Sequence, residues 1–544
     1  MLKSVKMHDQ FWTALAVGTM YLLQLASLTN AQGTWELLLD NAGIASMHTA
    51  VTHYNTVIFL DRTNIGRSEI DLPNGECREN DDELALKKDC TAHSVMFDPS
   101  SNSVRALWVQ TDPWCSSGQF QGDGTMVQTG GDFEGIKKIR TLVPCGRDDE
   151  CDWVEERTEL SEGRWYATNQ ILPDGKTQIV IGGRDAYTYE FVPKRNRNEG
   201  VFYLKLLEDT NSAQGDNMYP YVHLLPSGDL YIFANRDSIV LNYKTDKVVK
   251  TFPRIPGEPR NYPSAGSSVM LPIDQASSYT VVEVLVCGGA RNRAFTNYRQ
   301  QYPASLTCGR MVVTDNDPKW AMEDMPMPRT MGDMIILPMG EVLIINGAEN
   351  GSQGWGRASN AVLTPVKYAT YNAGNRFETL AASDIPRVYH STANLLVDGR
   401  ILLAGSNTHQ YYTFTGRFPT ELRIDAFSPP YLSTRNNNIR PTMTKSPGSI
   451  GYGEKFAITF TVAERHGGFE LNMKSTPFVT HSYAMGQRML KLEVTEPVAS
   501  AATQNSFAVD VIAPPTAELA PPGYYMLWPV QDWIPGTAAW VKIG

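Results

Sequence analysis

Beyond residue 31 the 544-residue chain has no apolar run long enough to cross a bilayer, for which about 20 such residues are needed. It has no excess of positive charge either: the formal net charge is −10, and Lys and Arg are scattered. A nucleic-acid binder would carry a basic face, and an interaction tail would show a run of one sign. No glycine-rich dinucleotide fingerprint opens a helix, which argues against a nicotinamide or flavin enzyme. No convincing pair of carboxylates marks a glycosidase. Cysteine is scarce, at seven residues, and the odd count leaves one over.

What the N-terminus does contain is a targeting signal. Lys3 and Lys6 precede "FWTALAVGTMYLLQLASL", and "TNA" precedes Gln32. A basic stretch, an apolar run and a small residue at a cut site predict a signal peptide over residues 1–31. The remainder is expected to be secreted, to the extracellular space or the cell wall, with no membrane attachment after cleavage. Export favours disulfides. Three local pairs suggest themselves, Cys77 with Cys90, Cys145 with Cys151, and Cys287 with Cys308, although sequence does not prove connectivity. That pairing leaves Cys115 in "DPWCSSG" alone, a liability in an oxidising compartment unless something holds it. The sequon at Asn350, "NGS", predicts a glycosylated surface loop.

A unit recurs along the chain: a glycine-containing turn, a β-rich run, then a small-residue pair. Copies include "QGDGTMVQTGG", "LPDGKTQIVIGG", "LPSGDLYIFAN", "LPMGEVLIING" and "LVDGRILLAG", with a degenerate early copy, "HYNTVIFLDR". The last residues of the regular copies are Gly131, Gly183, Asn235, Gly289, Gly347 and Gly405. A period near about fifty residues with β-rich units matches kelch-type propellers, whose small sheets bury their faces only by stacking in a ring. The predicted fold is all-β: a seven-bladed kelch-type propeller over 32–435, closed by pairing "TWELLLD" with the last blade near "ELRIDAF". From about residue 436 short alternating segments such as "KFAITFTV" and "SFAVDVIA" predict an immunoglobulin-like β-sandwich over 436–544.

The repeat supplies a register. Sixteen residues before Gly131 lies Cys115, and before Asn235, Gly347 and Gly405 lie Tyr219, Met331 and Tyr389; one residue more before Gly183 lies Tyr166. Tyr262 in "RNYPSAG" stands at the corresponding entrance of the fifth copy. Equivalent entrances form a ring around the propeller axis. The unpaired cysteine, two tyrosines and His390, beside Tyr389, are therefore expected to face one channel. His48, His53, His223, His409 and His466 read as ordinary structural histidines.

These residues resemble the copper radical oxidases, the family of galactose oxidase and glyoxal oxidase. The motifs are "WCSSG" with Cys115, "GRWYATNQILPDG" with Tyr166, "RVYHS" with Tyr389 and His390, and "VTHSYAMGQRMLKL" with His481. The likeness runs through nearly the whole mature chain and looks nearest to plant glyoxal-oxidase-like aldehyde oxidases. It implies one copper ion held by Tyr166, His390 and His481, with Tyr389 as axial ligand and proton acceptor. It also implies a thioether between Cys115 and Tyr166 and a radical on Tyr166. One departure stands out: the tryptophan that stacks over the cross-link in galactose oxidase is missing from "GGRDAYTYEF", where Arg184, Asp185 or Tyr187 is expected to fill the space.

The implied activity is oxidation of aldehydes such as glyoxal or methylglyoxal, as hydrates, to carboxylic acids, with O2 reduced to H2O2. The protein is expected to be a monomer whose partners are a small aldehyde or alcohol and O2. The alternatives are a primary-alcohol or galactose oxidase of the same family, and a non-catalytic kelch scaffold of the cell wall.

Overall fold

The computed structural model describes residues 32–544; the expected signal peptide lies outside them. Seven four-stranded antiparallel units follow one another. Their first strands are His48–Val51, Ser117–Phe120, Thr168–Ile171, Tyr221–Leu224, Gly266–Met270, Asp333–Ile336 and Ser391–Leu395. Almost every residue of these strands is buried, as expected of strands that line the axis of a ring. The seventh unit has only three strands of its own, and Thr34–Leu39 pairs antiparallel with Ile424–Ser428 to supply the fourth. The first described strand and the last blade thus share one sheet, which closes a seven-bladed propeller.

Apolar clusters fill the spaces between neighbouring blades. Ile179 and Phe191 of blade three pack with Leu230 and Ile232 of blade four. Leu285 of blade five packs with Ile344 of blade six, and Phe97, Leu403 and Ile345 join blades one, seven and six. Each such side chain contributes about 1.5–3 kcal/mol when fully buried, and no blade could hide both faces alone. The small-residue pair at the end of each second strand has a steric cause. A Cβ on Gly130 would lie 2.1 Å from the carbonyl oxygen of Arg164 in the next blade, and one on Gly131 would lie 2.1 Å from that of Asp112. Buried arginines tie these corners: Arg164 donates to the Gly182 carbonyl at 2.8 Å and Arg387 to the Gly405 carbonyl at 2.7 Å.

Three disulfides join Cys77 to Cys90, Cys145 to Cys151, and Cys287 to Cys308, and Cys115 is free and buried. Asn350 is half-buried in a short ribbon, Ala348–Asn350 paired with Ser359–Ala361, rather than in an open loop. No helix among the described residues is long and apolar enough to cross a membrane.

After the propeller come two sheets. One is built around Phe469–Ser475 and Gly523–Gln531, the other around Lys455–Thr461 and Ser506–Ile512. Ile458, Phe460, Leu471, Met473, Val509 and Leu527 form the core between them. A hairpin, Phe478–Thr480 and Tyr483–Met485, leaves this sandwich and pairs with His48–Val51 of blade one. It reaches the inner strands of blades two to seven as well, and so plugs the axis.

Candidate metal centre

Six of the seven blades, all but the first, present one residue just before the inner strand in a left-handed backbone conformation. Cys115 has φ 51°, Tyr166 68°, Tyr219 48°, Ala265 45°, Met331 60° and His390 62°. Left-handed backbone costs a non-glycine residue roughly 1–2 kcal/mol. Here it recurs because neighbouring entrances are laced together: the Tyr166 amide donates to the Cys115 carbonyl at 2.9 Å, Tyr219 to Tyr166 at 2.8 Å, and Met331 to Ala265 at 2.7 Å.

Strand pairing refines the sequence register. Thr129, before Gly130, pairs with Ser117, and Ala404, before Gly405, pairs with Thr392. Gly405 therefore matches Gly130, not Gly131, and His390 rather than Tyr389 is the blade-seven counterpart of Cys115. In blade five the counterpart is Ala265, not Tyr262, because Ser267 pairs with Cys287 before Gly288. Tyr389 precedes the left-handed residue, and its ring stacks on that of His390 with centroids 3.8 Å apart. Neither residue belongs to the strand, which begins at Ser391, so strand alternation does not separate them.

A further contributor arrives on the plug. His481 and Ser482 form the two-residue turn of its hairpin, with φ 48° and 63°. Such a turn needs positive φ at both positions and ordinarily takes Asn-Gly; an unfavourable pair held there points to a functional constraint. Thr480 donates its hydroxyl to the Met47 carbonyl at 3.0 Å. Its oxygen is then the acceptor for His481 Nδ1 at 2.7 Å. That leaves His481 Nε2 as an acceptor, which the Cys115 thiol meets at 3.2 Å.

Donor atoms of Cys115, His390 and His481 all lie within 4.8 Å of one another, and all three residues are buried. Neither ring nitrogen of His390 has a hydrogen-bond partner, which costs free energy in a buried polar group. Beside them, Tyr166 Oη lies 3.0 Å from Tyr262 Oη, and Tyr262 Oη lies 3.2 Å from Tyr389 Oη. Burial, followed by the neighbouring thiol and phenols, pushes Tyr166 well above the ordinary phenol range. Burial does the same to Tyr389 and Cys115, and raises Tyr262 to about 12. Burial also holds His390 and His481 well below the ordinary imidazole value. Two neutral imidazoles, each with a ring nitrogen able to accept, next to phenol oxygens fit a borderline cation such as Cu(II), and a bound cation would reverse the logic that keeps the phenols protonated.

The six other histidines among the described residues have structural partners, His93 meeting Asp89 at 2.7 Å. His48 meets Ser116, His53 stacks on Tyr524, His223 meets Ser268, His409 meets the Phe418 carbonyl, and exposed His466 meets Glu464. The residues expected over Tyr166 in place of the missing tryptophan do not stack on it. Arg184 sits over Trp165 instead, 5.2 Å from its ring centroid, and Tyr187 bonds Asn211. The ring stacked on Tyr166 is Tyr262, at 4.2 Å and 26°, with Trp165 tilted against it at 4.7 Å. Sequence nearness to the small-residue pair was a poor guide because the covering ring comes from blade five. Above these rings opens a cavity of about 540 Å³ whose lining includes Trp114, Trp165, Tyr166, Tyr262 and Tyr389.

Residues 47–431 match the glyoxal oxidase N-terminus family, and residues 440–543 the galactose oxidase-like early set domain. The aldehyde oxidase GLOX of Vitis pseudoreticulata is 50% identical over 95% of this chain and 98% of its own length. The aldehyde oxidase GLOX1 of Arabidopsis thaliana is 41% identical over 94% of this chain and 85% of its own. A fungal alcohol oxidase solved in complex with copper has the same fold, with a TM-score of 0.71 at 16% identity over 94% of this chain and 99% of that one. A family match across the propeller and relatives 50% and 41% identical over most of their length together show that the chain belongs to the glyoxal oxidase family.

Proposed function

We propose that this protein is a secreted copper radical oxidase that converts aldehydes, as their hydrates, to carboxylic acids. Each hydrate gives up two electrons and two protons, and O2 takes them up as H2O2. The observation that carries the reading is the buried convergence of His390, whose two ring nitrogens lack partners, with His481 and Cys115. It is supported by the aldehyde oxidase names of the similar plant proteins.

Tyr166, His390, His481 and Tyr389 would hold the copper ion. Copper, when bound, supplies one of the two one-electron accepting sites. The other is the ring of Tyr166, joined to Cys115 by a thioether whose formation removes two hydrogens, with O2 as their acceptor. The thioether uses the cysteine that disulfides leave over, and sulfur on the ring eases its oxidation. Tyr389 Oη accepts the proton of one substrate hydroxyl. Thr480 fixes the tautomer of His481 so that Nε2 faces the centre. Residues 32–435 form the catalytic propeller, 436–544 contribute His481, residues 1–31 are the signal peptide, and Asn350 is a glycosylation site.

Peroxide release from the copper-loaded protein should be greatest with glyoxal and methylglyoxal, and smaller with galactose and aliphatic alcohols. Intact mass should fall by two hydrogens on copper treatment in air, and not in Cys115→Ser. Absence of peroxide with every aldehyde, or full activity in Cys115→Ser, overturns the assignment.

A further inference from the structure

We infer that the Tyr262 hydroxyl recognises the second hydroxyl of an aldehyde hydrate and so selects geminal diols over primary alcohols. The inference rests on the oxidase reading above and names the determinant of its substrate class.

Three phenol hydroxyls line up at the floor of the cavity, with Tyr262 in the middle, 3.0 Å from Tyr166 Oη and 3.2 Å from Tyr389 Oη. A phenol has one proton to donate and an oxygen that also accepts. Tyr262 therefore donates to one neighbour at a time and keeps acceptor capacity facing the cavity. Its position is held from several sides. The ring stacks on Tyr166 and meets Tyr219 edge-on, its backbone bridges to Met218, and preceding Asn261 is tied to the Tyr219 carbonyl.

An aldehyde hydrate carries two hydroxyls on one carbon. If Tyr389 takes the proton of one, the other needs a partner immediately beside Tyr389. Two oxygens on a single carbon lie closer together than the two phenol oxygens, so one bound diol reaches both. Elsewhere in the cavity Arg357 donates to the Phe295 carbonyl and Gln214 donates to Asp216 and Ser264, while the partnerless indole nitrogens of Trp114 and Trp165 can only donate. A primary alcohol has one hydroxyl and gains nothing from Tyr262.

The test uses two inert probes on the full-length, copper-loaded protein under nitrogen. Hexafluoroacetone hydrate is a geminal diol with no hydrogen on its central carbon; hexafluoro-2-propanol keeps the fluorinated groups and one hydroxyl. In mildly acidic buffer, where both are neutral, calorimetric titration should show tighter binding of the diol to the wild type. Tyr262→Phe should weaken diol binding roughly 3- to 10-fold, the value of one hydrogen bond, and leave the alcohol within about that assay's scatter. In air, the ratio of kcat/KM for methylglyoxal to that for a primary alcohol should fall by the same factor. Equal weakening of both probes, or unchanged diol binding, overturns the inference. So does equal binding of both probes to the wild type, which decides the matter even if the variant fails to fold. A wild type that makes no peroxide from any aldehyde would instead overturn the oxidase reading, and the titration would still report on Tyr262.

Discussion

One torsion at His390 decides how the neighbouring side chains are used. With φ at 62°, Tyr389 and His390 stack and address one centre, whereas extended backbone would send them to opposite faces. Tyr389→Phe tests the division of labour between them. The ring still fills its place, 2% exposed in the wild type, and the other proposed ligands, Tyr166, His390 and His481, are untouched. Copper should stay bound at wild-type stoichiometry while peroxide production falls about 10²–10⁴-fold, the usual worth of a positioned base. Metal content and turnover measured on one preparation decide it; bound copper with normal turnover excludes the role for Tyr389.

At the scale of elements, the hairpin Phe478–Met485 is the piece on which the site depends. It adds to the sheet of blade one through the pairs His48 with Thr480 and Ala50 with Phe478, and it delivers His481 to the centre. His481→Asn separates the turn from the ligand, since asparagine suits left-handed backbone but offers no imidazole. The variant should keep its thermal stability and lose copper affinity. Thr480→Val removes the outer partner of His481 and should weaken copper about 10–100-fold. Competitive titration against a chelator reads both, and wild-type affinity in His481→Asn would remove the hairpin from the metal site.

Over the whole molecule, Asp333 and Lys474 are two of the buried ionisable groups, and they contribute opposite pH slopes. Asp333, on the inner strand of blade six, is raised by burial from 3.8 to about 8; its Oδ1 has no partner and its Oδ2 accepts only from Asn346. Folded Asp333 holds its proton more tightly than unfolded, so its stability contribution is complete below pH 3.8 and is lost as pH rises through about 8. Lys474, in the sandwich, is lowered by burial from 10.5 to about 7. Its contribution is complete above pH 10.5 and is lost as pH falls through about 7. Each slope is at most about 1.4 kcal/mol per pH unit. Denaturant unfolding across pH should lose the fall between 3.8 and about 8 in Asp333→Asn, and lose the rise toward 10.5 in Lys474→Met. Unchanged slopes in both variants would show that these groups titrate normally.

Much of this architecture was legible in the linear sequence because blades are local. Each inner hairpin, such as Ser117–Phe120 with Met126–Thr129, is built from contiguous residues, so turn glycines and alternation recur with the blade and announce it. The three disulfides are local for the same reason. The motif residues Cys115, Tyr166, Tyr389, His390 and His481 could be named from their neighbours in sequence. What only the tertiary structure decided are relations between distant segments. The equivalence of His390 with Cys115 depends on strand pairing. The orientation of His481 depends on a hydrogen bond that Thr480 makes to Met47 across the domain boundary. The ring over Tyr166 comes from blade five, and a side chain brought in by ring closure leaves no periodic trace near the residue it covers.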